Sequence, residues 1–233
     1  MNARARIAVL IPAYNAAASL RGVIEGIKGY VSSILVVDDG STDATAEIAL
    51  AAGVHVLRHQ INRGKGVALR TGFRFLLHQG YQAIITMDAD GQHDPSYIPL
   101  FIDVYKKGKG DIIIGSRAGE FHAMSRLRRF WNRLGVKAVS KLIGTPLTDT
   151  QSGYRLIKAE VLQGLPLRAE GYEVELELLI KACKRGHHVV EIEVTTHYID
   201  GRPSSHFRPV QDTWLVCRTF LQEFFWRDHG NVR

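Results

Sequence analysis

Ile34-Leu35-Val36-Val37-Asp38-Asp39-Gly40-Ser41-Thr42-Asp43 reads as a buried strand that stops abruptly in an acidic turn. Four consecutive apolar residues with no polar alternation suit a strand covered on both faces. Thr42 or Asp43 then opens a helix to about Ala52, which Gly53 ends. The same unit recurs on either side. Towards the N-terminus, Ile7 to Ile11 is a short apolar run stopped by Pro12, and Ser19 is the predicted N-cap of a helix through Lys28. Towards the C-terminus, Val54 to Leu57 is a strand and Gly66 to Gln79 a helix closed by Gly80. Ala83 to Met87 is the next strand, followed by Asp88-Ala89-Asp90-Gly91, a helix from Pro95 to about Lys107, and a strand from Asp111 to Gly115. Strands alternating with helices of this length imply right-handed crossovers. The fold class is therefore α/β, a mainly parallel sheet with helices on both faces.

In such sheets ligands bind beyond the carboxyl ends of the strands. There the sequence puts Asp38-Asp39, Asp88-Ala89-Asp90 and Ser116-Arg117. Three polar loops at one edge are a stronger signal than any one of them. The remainder is less regular. Arg126 to Leu142 is a basic amphipathic helix, Gly144 to Gly153 a polar loop, Glu173 to Lys184 a helix and Val189 to Thr195 a strand. Asp200 to Pro209 is a loop rich in Gly, Pro, Ser and basic residues, and Val210 to Trp226 a final aromatic-rich helix. No internal repeat or linker divides the chain. Residues 1–233 are expected to form a single domain, with a nucleotide-binding half at 1–120 and an acceptor-side half at 121–233.

The chain has 233 residues, 45% apolar and 23% charged, a globular rather than disordered composition. No stretch approaches the roughly 18–20 apolar residues that span a bilayer, and no secretory signal is recognisable. Two cysteines, Cys183 and Cys217, cannot make a disulfide framework or a zinc ribbon and fit a reducing cytoplasm. The net charge is +7, with the excess in the middle of the chain and densest at Arg126, Arg128, Arg129 and Arg133. Such a zone implies an anionic partner or is simply a solvated helix face. Nucleic acid is disfavoured, because aromatics are not interleaved with these arginines as stacking platforms except at Phe130-Trp131.

Two carboxylates two residues apart at a strand end, Asp88 and Asp90, can ligate a hard divalent cation and leave positions for water and phosphate oxygens. Asp-Gly also favours turns for backbone reasons alone. In Asp38 to Asp43, one helix cap needs one acceptor but three aspartates are present, so spare carboxylates are free to bind a base or ribose. Other signatures are missing. There is no phosphate loop with Gly-Lys-Ser/Thr. Gly64-Lys65-Gly66 has Leu69 where a dinucleotide fingerprint needs its third glycine. Neither the zinc-protease nor the serine-hydrolase motif occurs.

Together these residues resemble the family 2 glycosyltransferases of GT-A fold, and within them the polyprenyl-phosphate (dolichyl-phosphate mannose or glucose) synthases. The matching stretches are Ile11-Pro12-Ala13-Tyr14-Asn15, Val36 to Asp43, Asn62 to Gly66, Met87 to His93, Gly115-Ser116-Arg117 and Asp149 to Arg155. They run in family order over about residues 7–205. The resemblance implies nucleotide-sugar contacts at Pro12, Tyr14, Val37, Asp39, Asp88, Ala89, Asp90 and Arg117. It implies metal ligands at Asp88, Asp90 and Gln92, for Mg2+ or Mn2+. It also implies acceptor-phosphate contacts at Arg117, Arg202 and Ser204, with Asp90, Arg117, Arg202 and Asp149 as the catalytic set. Asp149 or Glu173 would be the base if the acceptor were a hydroxyl. Ala16 and Ala17 stand where the family often has Glu after Tyr-Asn, and Ser205-His206 where it often has Lys.

The implied activity is inverting, metal-dependent transfer of a sugar from a nucleoside-diphosphate sugar to a polyprenyl phosphate. Transfer to a hydroxyl acceptor and a non-catalytic nucleotide-binding module are the alternatives. Val210, Trp214, Cys217, Leu221 and Phe224 make one apolar stripe on the last helix, widened by Phe220, Phe225 and Trp226. That stripe either packs on the protein or lies in a membrane interface. A cytoplasmic location, with peripheral contact to anionic lipid at the inner face of the cell membrane, is the expectation.

Overall fold

The computed structural model describes residues 6–117, 119, 126–196 and 209–226. The elements are β1 (Ile7–Ala13), α1 (Leu20–Lys28), β2 (Ile34–Asp38), α2 (Thr45–Ala51), β3 (His55–Arg58), α3 (Lys65–His78), β4 (Ala83–Thr86) and α4 (Ile98–Lys106). There follow β5 (Ile112–Ser116), α5 (Arg126–Ile143), β6 (Arg155–Lys158), α6 (Ala159–Leu162), α7 (Val174–Lys184), β7 (Val189–Glu193) and α8 (Pro209–Phe225). The described strands form a sheet in the order β3-β2-β1-β4-β6-β5-β7. Neighbours are parallel except around β6, which is antiparallel to both β4 and β5. The fold is mixed α/β with a mostly parallel sheet, as expected.

Alternation along the strands builds two cores. On one face Leu10, Leu35, Val37 and Ile84 pack with Phe73 and Leu76 of α3 and Leu176 and Leu179 of α7. On the other, Val9, Ile11, Val36 and Ile85 pack with Leu20, Ile24 and Ile27 of α1 and Ile98 and Phe101 of α4. Burying both faces is what the unbroken apolar strands required.

Four local readings change. β1 continues through Pro12, opposite Val37 of β2. Val9 bonds towards β2, from its N–H to Ser33 O, whereas Leu10 bonds towards β4, accepting from Met87 N–H. Pro12 shares the Leu10 side, and pairing with β4 ends at Leu10, so its missing donor interrupts no ladder. Ser19 stands at the N-cap of α1 but makes no side-chain cap; its hydroxyl donates to Ala89 O at 2.6 Å. α2 starts at Thr45, because Asp43 outside the helix already accepts from Thr45 N–H at 3.0 Å. β6 was not expected at all: four residues with charged ends and two apolar residues carry too little periodicity.

Part of the apolar stripe of the final helix faces outward among the described residues. Leu221, Phe224 and Phe225 are exposed by 60%, 50% and 76%, while Phe220 is half-buried against the core. Thr219 and Glu223 are buried instead. Glu223 Oε1 lies 3.4 Å from Lys181 of α7, and Lys184 donates to the carbonyls of Glu223, Phe224 and Trp226. A cation on the last carbonyls of a helix satisfies orphan acceptors and complements the dipole. The side chains of Val210 and Trp214 lie outside the described residues. Among the described residues no helix is long and apolar enough to cross a membrane.

Candidate active site

The loop after β2 spends its acids internally. Asp38 Oδ1 accepts from Ser41 N–H at 3.0 Å, and its Oδ2 lies 3.0 Å from Arg58 Nε. Asp39, 3% exposed, accepts from Arg63 N–H at 3.1 Å, Gly64 N–H at 2.7 Å and His59 Nδ1 at 2.6 Å. Asp43 accepts from Ala17 N–H at 3.1 Å, while Asn15 and Ala16 donate their N–H groups to Ser41 and Thr45 hydroxyls. The carboxylates read from the sequence as spare are therefore engaged. A sheet edge made of loops presents many backbone N–H groups, and buried ones need acceptors. Pro12 and Tyr14 are half-buried at this edge. The side chain of Val37 is fully buried in the core.

The loop after β4 differs. Asp88 Oδ1 lies 2.6 Å from Lys65 Nζ, and Oδ2 lies 3.2 Å from His93 Nε2. Lys65 Nζ also lies 2.7 Å from Glu175 Oε1. Burial works against charge on both partners. The lysine charge nevertheless holds Asp88 far below the ordinary carboxylate range, and the two carboxylates hold Lys65 well above the ordinary lysine range. Asp90 is raised, first by burial and then by the Asp88 charge. Its Oδ1 accepts from Gln92 N–H at 3.0 Å. Ala89 is buried, and its carbonyl is the acceptor for Ser19.

Several observations fit a divalent ion here. Two hard oxygen donors, the carboxylates of Asp88 and Asp90, stand two residues apart at the end of a buried strand. Gly153 leaves room beside them, since a Cβ there would stand 2.8 Å from Asp88 Oδ2. Among the described residues no group of three or more His, Cys, Asp and Glu surrounds one point, so a metal would complete its shell with water and ligand oxygens.

Arg117 follows β5 at the same edge, because β4 and β5 run in the same direction on either side of β6. Its Nε lies 2.7 Å and its Nη2 3.2 Å from the two oxygens of Asp149. Burial would raise Asp149, but the guanidinium beside it and the N–H bonds it accepts hold it below the ordinary carboxylate range. A carboxylate so engaged orients Arg117 and is a poor proton acceptor. Glu191 of β7 in turn accepts from Asp149 N–H at 2.8 Å and Thr148 N–H at 2.9 Å. Arg155 is fully buried and donates to the carbonyls of Ser152, Thr150 and Glu175, which ties this loop to α7. Glu173 Oε1 accepts from Glu170 and Gly171 N–H at 3.2 Å. Arg202 and Ser204 lie outside the described residues, as do the side chains of Arg126, Arg128 and Arg129; Arg133 is exposed.

Sequence reasoning missed Lys65, Glu175 and Glu191. Lys65 left a signal. It is the first residue of α3, where a cation opposes the helix dipole, so it needs carboxylates nearby. Gly64 and Gly66 flank it because any Cβ there would run into the backbone of Ala169 and Glu170. Glu175 and Glu191 look from sequence like an ordinary first-turn acid and a strand-edge acid.

Comparison with known proteins agrees with this geometry. The family model described as Glycosyl transferase family 2 matches residues 8–165. Polyprenol monophosphomannose synthase of Mycolicibacterium smegmatis is 34% identical over 207 residues, 82% of this chain and 77% of that protein. Undecaprenyl-phosphate mannosyltransferase of Micrococcus luteus is 32% identical over 203 residues, 82% of this chain and 83% of that protein. Among solved structures, glucosyl-3-phosphoglycerate synthase from Mycobacterium tuberculosis, in complex with Mn2+, UDP-glucose and phosphoglyceric acid, superposes with a TM-score of 0.72. It is 25% identical and the match covers 97% of this chain and 82% of that one. With its acidic and basic loops gathered at the carboxyl edge of such a sheet, the chain is a glycosyltransferase and belongs to glycosyl transferase family 2.

Proposed function

We propose that this chain transfers a sugar from a nucleoside-diphosphate sugar to a polyprenyl phosphate, with inversion at the anomeric carbon. The observation that carries the reading is the placement, at one edge of the sheet, of Asp88 and Asp90 after β4 and of an Arg117 oriented by Asp149 after β5. The two polyprenyl-linked relatives support the acceptor class. A divalent ion held by Asp88 and Asp90 supplies neutralising charge for a departing diphosphate. Arg117, fixed in plane by Asp149, adds a positive potential that needs no reorganisation during reaction. A phosphate monoester is already ionised at neutral pH, so the chain needs no strong base, consistent with an Asp149 that is committed to Arg117. Asp149 is then a positioning residue. Pro12 and Tyr14 remain the proposed nucleotide wall; Asp39 acts by holding the Arg63-Gly64 backbone beside it. Arg202 and Ser204 keep their proposed place on the acceptor phosphate.

A donor panel tests the reading. GDP-mannose, UDP-glucose and UDP-N-acetylglucosamine are each incubated with the chain and Mn2+, with a short polyprenyl phosphate, with phosphoglyceric acid, or alone. Polyprenyl phosphate should stimulate release of one nucleotide, and EDTA should abolish it. Stimulation by phosphoglyceric acid alone would transfer the case to a hydroxyl acceptor.

The exposed Leu221, Phe224 and Phe225 of α8 support peripheral contact with a membrane at the cytoplasmic face, helped by the basic α5. Liposomes containing anionic lipid should float the chain at low salt, and Phe224→Ser with Phe225→Ser should reduce that flotation. Equal flotation of the double variant removes α8 from the contact.

A further inference from the structure

The cation that Asp88 meets first is a residue of its own chain. Lys65 Nζ lies between Asp88 Oδ1 at 2.6 Å and Glu175 Oε1 at 2.7 Å, with the Tyr172 ring centroid at 5.2 Å. The lysine side chain is 13% exposed. The backbone on either side of it is fixed. The Gly66 N–H after it is bonded to Glu170 O at 2.7 Å, and the Gly64 N–H before it to Asp39 at 2.7 Å. A Cβ at Gly153 would stand 3.0 Å from Nζ, so that loop closes the third side. With the backbone pinned on both sides, only the flexible stem of Lys65 can move.

A divalent ion on Asp88 needs the same oxygen at about 2.0–2.6 Å, depending on the metal. Ion and ammonium would then share lone pairs a few ångströms apart and repel. We propose that Lys65 is a built-in competitor of the divalent ion at Asp88, with Glu175 as the second partner that retains the lysine when the ion arrives. A bare ion then binds poorly. An ion arriving with a diphosphate binds well, because the diphosphate brings the negative charge that satisfies both cations. Glu175 matters because a displaced ammonium without it would be a buried, unpaired charge. This inference rests on the reading of Asp88 and Asp90 as ion ligands.

Lys65 and its second partner Glu175 predict opposite signs. Lys65→Met removes the competitor. Glu175→Gln removes its alternative partner and leaves the lysine more firmly on Asp88. Mn2+ binding to the full chain is measured by paramagnetic resonance and calorimetry, alone and with UDP or GDP. Bare Mn2+ should bind Lys65→Met about tenfold more tightly than the unaltered chain, and Glu175→Gln more weakly. The gain in Mn2+ affinity that nucleotide gives should shrink in Lys65→Met. Misfolding loses affinity and does not create it, and melting curves without metal check the fold of both variants. Bare Mn2+ affinity that is unchanged or weaker in Lys65→Met overturns the proposal. If the unaltered chain and Lys65→Met both bind no Mn2+ with UDP or GDP present, the metal reading itself fails and takes this one with it.

Discussion

Asp38, Asp39 and Asp43 at and after the end of β2, and Asp88 and Asp90 after β4, flank β1 at one edge of the sheet, yet they meet different partners. The first group is met mainly by backbone N–H groups: Ser41 for Asp38, Arg63 and Gly64 for Asp39, Ala17 and Thr45 for Asp43. In the second group, Asp88 is met by the side chains of Lys65 and His93. The difference teaches that an acidic cluster is no indicator of a ligand site until its donors are known. Backbone donors cannot leave, so a carboxylate they saturate is architecture. A lysine stem can swing aside, so a carboxylate held by one can exchange its partner.

Breaking the second group should have the largest effect on chemistry. Asp90→Ala is expected to lower turnover by about a hundredfold or more while the melting temperature stays close to that of the unaltered chain. Normal turnover in this variant would detach the loop from catalysis. Breaking the first group should act on the fold. Asp39→Ala leaves the Arg63 and Gly64 N–H groups without their acceptor, and denaturant titration should show a loss of about 2–4 kcal/mol. A stable Asp39→Ala chain with poor nucleotide binding would restore the ligand role read from its spacing.

Gly153→Ala sharpens the contrast without touching a charge. Its added methyl would press on Asp88 and Lys65, both side-chain ends that can give way. Turnover should fall severalfold with stability little changed, whereas an alanine at Gly64, which has φ 94° and faces the Glu170 backbone, should destabilise. The smallest expected effect concerns a third acid at this edge. The lowered Asp149 contributes stability that is present above its unfolded value near 3.8 and is lost as pH falls through its folded value. Asp149→Asn should therefore flatten the acid limb of the stability curve below about pH 4. An unchanged acid limb would mean that the Arg117 pair does not couple to folding.

Most of the scaffold was legible because apolar strands and glycine-ended helices are local signals. Val36-Val37 and Ile84-Ile85 announce buried strands with no knowledge of their neighbours. β6 was not legible, since its identity comes from pairing with β4 and β5 rather than from its own four residues. Likewise, Asp88, Asp90 and Arg117 could be placed at strand ends by counting. That Asp88 and Glu175 converge on Lys65 depends on residues far apart in the chain, and no spacing rule contains it. The stripe on α8 was visible, but the face it presents is decided by Lys181 and Lys184 on another helix.

The insertion of β6 between β4 and β5 also governs the order in which this chain can be completed during synthesis. When residues 112–116 leave the ribosome, both strands that β5 pairs with, at 155–158 and 189–193, are still to come. Until then β4 is an open, apolar edge and β5 has nothing to pair with, a state prone to aggregation. Non-local pairing of this kind slows closure, since the intervening loop must be ordered first. A released chain truncated after residue 150 should be cut by protease within Ile112–Ser116, whereas the finished chain resists there.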